Sequence, residues 1–439
     1  MGKSLYIAEK PSVAQEFAKA LHINTQRKDG YLESAEAIVT WCVGHLVTMS
    51  YPEEYDPALE DLTIYHLLTM QAGSKECCNN VWFSKLTKDW ETNWLKQPKI
   101  REDIGKAFHY DSGCSYTLSR IVTKVMGKNC LALMQERVFD KMGFGEINWL
   151  TSPEGHNTGG WGMYMTAGKI SALAQLLLQK GEWNGEQLIP AWWTEEIGKM
   201  RVVIPEDEKK ALTHYAYHIK AGKEIFAAEG AFGQYLICFR DYPVAIGITA
   251  GASEYLAADI CLKYIKEAVQ IPCEKENLEE AQEKLEEKLV HLTLPKPEGD
   301  KKDTNEATKK LLNKRIVFTE NPRQIESAVI STVGEELKLE LTVAGEKKIL
   351  FAGYKDWKCN DMYPNECTKR YHAVSYAFDE DALYLSVGLL NTSYREEYCL
   401  WVNSENVVVG TWRPNVTYLP AEEDMTWKFT GTFEPSCIL

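Results

Sequence analysis

A chain of 439 residues carrying a formal charge of −14, with 45% hydrophobic and 26% charged residues, is too long for one ordinary core and is expected to fold as several domains. Its 13 tryptophans and 22 tyrosines supply ample apolar surface for burial, which excludes wholesale disorder, while the acidic balance repels phosphate backbones and makes nucleic acid an unexpected partner. The opening apolar run is too short for a signal peptide and no later run approaches a membrane-spanning length, so a cytoplasmic location with no membrane partner is expected.

In chain order, Ser4 to Ala8 forms a short apolar run. Pro11 and Ser12 then open a helical pattern with Val13, Phe17, Ala20 and Leu21 on one face. A second apolar run spans Ala37 to Val43, ends at Gly44-His45 and leads into a proline-bearing loop from Tyr51 to Pro57. From Leu62 to about Gln270 the pattern is mixed, with helical spacing at Ser115 to Val125, Leu131 to Met142 and Gly168 to Gln179, strand-like runs at Tyr235 to Phe239 and Val244 to Thr249, and a closing helix from Tyr255 to Ala268.

Residues 271–315 turn sharply toward Glu and Lys, and Leu278, Ala281, Leu285 and Leu289 make a narrow apolar stripe on an otherwise charged helix, read as a solvated connector. Pro295 to Lys302 reads as a flexible linker. Short β-rich segments follow, at Leu337 to Val343, Lys348 to Ala352, Ala382 to Leu389 and Glu397 to Val402, and predict a small antiparallel sandwich or barrel. The expected division is therefore 1–60, an α/β fragment; 61–270, the main α+β domain; 271–315, charged helix and linker; and 316–439, a small all-β domain. The twelve cysteines contain no CxxC pair, and the adjacent Cys77 and Cys78 suit neither a zinc site nor an ordinary bridge, so free thiols and no metal are expected.

The stretch His109-Tyr110-Asp111-Ser112, continuing to Ser119, resembles the second motif of the class C β-lactamase and penicillin-binding-protein-like serine hydrolases, with Tyr110 and Ser112 in its two active positions. Thr63 to Gly73, Phe139 to Gly143, Gly159 to Met163, Met165 to Lys169 and Gly181 to Gln187 resemble further landmarks of that family in the same order. Ala227 to Gln234 resembles the third element of its esterase and amide-hydrolase branch, which implies substrate-binding roles for Glu229, Gly230, Gly233 and Gln234. Gly230 and Gly233 would let a substrate approach the backbone closely. Trp161 reads as core. The resemblance implies a truncated β-lactamase-like fold, a helical domain plus an antiparallel sheet.

Such hydrolases need a serine with a lysine one helical turn later, so that the amine takes the hydroxyl proton during attack on a carbonyl. No Ser-x-x-Lys occurs in the chain. Threonine versions stand at Thr25 with Lys28 and at Thr166 with Lys169, neither in the expected place. Loss of the nucleophile removes orders of magnitude in rate, and one oxyanion-hole donor goes with it.

Leu5 to Ala14, with Trp41 to Leu46 and Pro52 to Pro57, closely resembles the start of a bacterial topoisomerase III, up to about residue 58. The resemblance places Glu9 at the glutamate of a Toprim active site, where it would act with an Asp-x-Asp to hold a magnesium ion. The one Asp-x-Asp here, Asp379 to Asp381, reads as a solvated turn far along the chain. Ile7 and Val39, with their strand neighbours, are expected either to extend the hydrolase sheet or to form a small separate layer.

The expected function is that of a β-lactamase-related, catalytically impaired serine-hydrolase-like protein. Two alternatives stay open: a pseudoenzyme module binding a small-molecule, ester, peptide or acylated ligand, and a topoisomerase III-related DNA-binding protein. No cofactor is expected, and the oligomeric state stays open.

Overall fold

The computed structural model describes residues 4–8, 11–28, 31–41, 57–205, 210–252, 256–270, 278–299, 309–360, 371–379, 381–417 and 425–434. Glu9, the Gly44-His45 pair and most of the Tyr51 to Pro57 loop lie outside them.

The opening strand Ser4–Ala8 pairs in parallel with Ala37–Trp41, Tyr6 lying opposite Val39. Tyr31–Glu33 and Gln26–Lys28 continue the sheet on the far side of Ala37–Trp41. The strands of Ile7 and Val39 thus form a separate layer of four strands. The helix Pro11–Ala20 contributes Ala14 and Ala18, one turn apart, to a core shared with Ala8, Leu32 and Val39. Phe17 and Leu21, expected on the buried face, are exposed. Alanines let the helix lie close on a small sheet, a distance at which a phenylalanine ring would not fit.

The chain divides into two compact units, residues 1–228 with 236–246, and residues 229–235 with 247–439. In the first, the long helices are Ser112–Met126 and Ala167–Leu178. Thr166 caps the second through its side chain, and Asp111 caps the first, which ends at Gly127 in the left-handed region. A core of Leu67, Met70, Phe83, Trp90, Trp94 and Tyr116 lies around the start of the Ser112–Met126 helix, with Trp161 packed against it. The Trp161 ring, partly buried, is 5.9 Å from that of Trp90 and stacked on it.

A six-stranded sheet runs in the order Val202–Val203, His214–Tyr215, Lys220–Ala221, Ile225–Gly230, Gln234–Phe239, Ala245–Ile248. Its first three strands are two residues each, too short to show any periodicity.

The second unit carries a β-barrel. Its ten strands run in the order Glu346–Tyr354, Glu336–Val343, Ile325–Val333, Arg315–Phe318, Trp427–Phe433, Val408–Pro414, Arg395–Val402, Ala382–Leu389, His372–Asp379, Lys358–Asn360. A parallel pairing of Gly353 with Ser375 and Tyr354 with Tyr376 closes the ring. Alternation does the packing: Leu383, Leu385, Val387 and Leu389 enter the core from one face of their strand. Asp379 and Asp381 flank the hairpin between two barrel strands and are exposed, as a solvated turn requires. The connecting helix Leu278–Val290 buries no residue, and Leu278, Leu285 and Leu289 stand exposed. Among the described residues no helix is long and apolar enough to cross a membrane.

Candidate active site

Asp111 organises the Tyr110-Asp111-Ser112 motif. Fully buried, it accepts from Trp94 Nε1 at 2.7 Å and from the Ser74 hydroxyl through one oxygen, and from the backbone N–H groups of Gly113 at 2.8 Å and Cys78 at 3.1 Å through the other. The carboxyl group therefore ties two separate segments, residues 74–78 and the helix of Trp94, to the helix start. Gly113 is required there, since a Cβ would lie 1.9 Å from Trp94 Nε1. Tyr110 and Ser112, two residues apart around this anchor, take opposite environments: the Tyr110 side chain is 46% exposed, while Ser112, the first helical residue, is buried.

One turn into the helix, Ser115 Oγ lies 2.7 Å from His218 Nε2. The other ring nitrogen, Nδ1, is 3.2 Å from the carbonyl oxygen of Leu68, which can only accept, so the proton sits on Nδ1 and the Ser115 hydroxyl donates to Nε2. His218 adopts a left-handed backbone at φ 56° and is held by its own N–H to the same carbonyl. Desolvation of the ring lowers its pKa from the ordinary value. A hydroxyl bonded to a neutral imidazole is the arrangement of a serine nucleophile and its base, but Ser115 is 4% exposed and lies beneath Gly159 and Gly160. A Cβ on Gly160 would stand 3.2 Å from Ser115 Oγ, and one on Gly159 would stand 2.3 Å from the Ser115 carbonyl oxygen. A substrate carbonyl has no room there.

The threonine–lysine pairs do not supply a nucleophile. Thr166 Oγ1 accepts from the Lys169 backbone N–H as a helix cap, and the Lys169 amine lies 5.9 Å from the Phe144 ring centroid. Thr25 precedes the strand Gln26–Lys28, where three residues of extended chain separate the two Cα atoms by roughly 10 Å. A third pair, Thr293 with Lys296, escaped the sequence reading; its lysine is bonded to Asp356 at 3.1 Å. Among the described residues no three His, Cys, Asp or Glu side chains converge to hold a metal ion. The described cysteines are free thiols, and burial pushes Cys114 well above its ordinary pKa and Cys78 up to about 12.

In the second unit, Glu229, Gly230, Gly233 and Gln234 surround a tight turn. Gly233 has φ 90° and donates its N–H to the Gly230 carbonyl, so its glycine is fixed by the turn itself. The Gln234 amide donates to the Ala250 carbonyl, which also receives the Ser393 hydroxyl. Phe232 meets Tyr394 edge-on at 6.1 Å.

Asp111, Ser115 and His218 were missed from the sequence. The first had a signal, an aspartate immediately before a helical run. The Ser115–His218 pair had none, since 103 residues separate its members.

The family model for Beta-lactamase matches residues 44–268, just over half of the chain and beginning earlier than the residue 61 read from motifs. DNA topoisomerase 3 of Staphylococcus aureus (strain USA300) is 56% identical over 111 residues, 24% of this chain; the chain spans 15% of that relative's length. That match lies in the N-terminal region and is longer than the 58 residues assigned by motif. Among solved structures, the octameric penicillin-binding protein homologue from Pyrococcus abyssi is 11% identical with a TM-score of 0.38, over 87% of this chain and 82% of that one. The D-amino acid amidase of Ochrobactrum anthropi SV3 is 11% identical with a TM-score of 0.38, over 50% and 81%.

Proposed function

Because this chain belongs to the beta-lactamase family, we propose that it is a serine-hydrolase-like protein in which acyl transfer is lost while the fold that carried it is kept. The observation that carries this reading is chemical: no serine stands three residues before a lysine anywhere in the sequence. Without that pair Tyr110 has no nucleophile to serve. Acylation requires an activated hydroxyl and two hydrogen-bond donors for the developing oxyanion, and the nucleophile's own N–H is ordinarily one of them.

A second reading is supported by the exposure of Tyr110: a half-exposed tyrosine just before the start of a helix can contact a ligand. In that reading Tyr110 contacts a small ester, peptide or acylated molecule without turnover. The likeness to DNA topoisomerase 3 does not carry a DNA role here, because a formal charge of −14 opposes phosphate binding.

Incubation of the full chain with a fluorescent penicillin and with a fluorophosphonate tests both readings. The expected result is an unchanged intact mass. Saturable, reversible binding of the penicillin supports the second reading. A covalent adduct overturns the loss of catalysis, and its disappearance in Ser115→Ala would assign the nucleophile to the Ser115–His218 pair.

A further inference from the structure

The outer face of the barrel carries a cavity of about 250 Å³ lined by Arg395, Glu397, Arg413, Pro414, Asn415 and Met425. Glu397 and Arg413 are direct cross-strand partners, so simple pairing would join them. Instead Glu397 turns along its own strand to Arg395, with Arg395 Nη2 3.1 Å from Glu397 Oε1. Arg413 is exposed and joins no ion pair among the described residues. The Arg395 Nε–H is buried and has no acceptor. Among the described residues two guanidinium groups therefore face one carboxylate, which leaves one positive charge there without a paired carboxylate, together with a buried Nε–H that has no acceptor.

The site is held rigidly. The Arg395 backbone N–H donates to Asn415 Oδ1 at 2.9 Å, and the Asn415 N–H returns a bond to the Arg395 carbonyl at 2.9 Å. Asn415 Nδ2 then donates to the carbonyls of Gly251 and Ser393. Two planar donor forks on fixed strands suit an acceptor with two or more oxygens on one centre. The volume equals roughly eight waters, enough for such a group and a few attached atoms.

We propose that this cavity binds a small oxyanion, a carboxylate or phosphoryl group, between Arg395 and Arg413. The ligand accepts from the terminal guanidinium nitrogens of Arg395 and Arg413, and Glu397, bonded to Arg395 Nη2, acts as its internal competitor. A plain cross-strand charge ladder would show the same ion pair but no ligand dependence, and substitutions separate the two.

The full chain is titrated at constant ionic strength with inorganic phosphate, acetate and chloride, following thermal unfolding and heat of binding. Saturable binding of phosphate or acetate, absent with chloride, is expected; tighter phosphate identifies a phosphoryl ligand and tighter acetate a carboxylate. Arg413→Gln, at an exposed position, lowers affinity by about tenfold. Glu397→Gln raises it, because the competing carboxylate is gone. A response common to all three salts, an affinity unchanged in R413Q, or a loss in E397Q equal to that in R413Q overturns the proposal.

Discussion

Asp111 and His218 show two ways in which one side chain fixes the helix that begins at Ser112. Replacing Asp111 by alanine would leave the Ser74 hydroxyl, the Trp94 indole and two backbone N–H groups without their acceptor in a region closed to water. Each uncompensated donor is expensive, and a helix cap is lost as well, so D111A should cost about 3 kcal/mol or more of stability in urea unfolding, with D111N costing less. A loss below 1 kcal/mol, on the order of a surface substitution, would show that the network contributes little. His218 acts through protonation. Desolvation lowers its folded pKa below the ordinary value near 6.5, so between those two values the unfolded chain binds a proton that the folded chain does not. Stability from the neutral ring is fully present above about pH 6.5 and declines as pH falls below it. His66 and His156 shift in the same direction and share that slope. His218→Asn, which tolerates the left-handed backbone, should therefore lose less stability between pH 7.5 and 5.5 than the parent chain, measured as urea midpoints; equal losses would exclude His218 as a source.

Elements long enough to express a period were readable in advance, and those formed by tertiary contacts were not. The Ala167–Leu178 helix and the Ala382–Leu389 strand follow from 3.6- and two-residue spacing of leucines, alanines and valines. His214–Tyr215 and Lys220–Ala221 have no period to read, and their strand character comes from the neighbours that pair with them. The Pro11–Ala20 helix was placed correctly but turned wrongly, because hydrophobicity ranked Phe17 above Ala14 and Ala18 when close approach decided which side faced the sheet. At the candidate site, motif spacing brought out Tyr110 and Ser112, yet not that the first is exposed and the second enclosed. Gly233 takes a left-handed backbone at a tight turn, a requirement for glycine that the motif did not announce.

The two largest sheets differ in how they end. In the barrel, the pairing of Glu346–Tyr354 with His372–Asp379 closes the ring and gives its long strands hydrogen-bonded neighbours on both sides. The six-stranded sheet is open, and its last strands on one side are only two residues long, so their amides can be released by fraying without disturbing the strands beyond. Local opening free energy should follow this contrast. Backbone amides of Glu336–Val343 and Ala382–Leu389, whose inward leucines are buried, are expected to exchange at least about 100-fold more slowly than those of His214–Tyr215 and Lys220–Ala221, a difference of about 2.7 kcal/mol in opening. Hydrogen exchange followed by mass spectrometry on the full chain measures both sets in one experiment. Equal protection would mean that the short strands open only when the whole unit does, and that the open edge is no weaker than the closed ring.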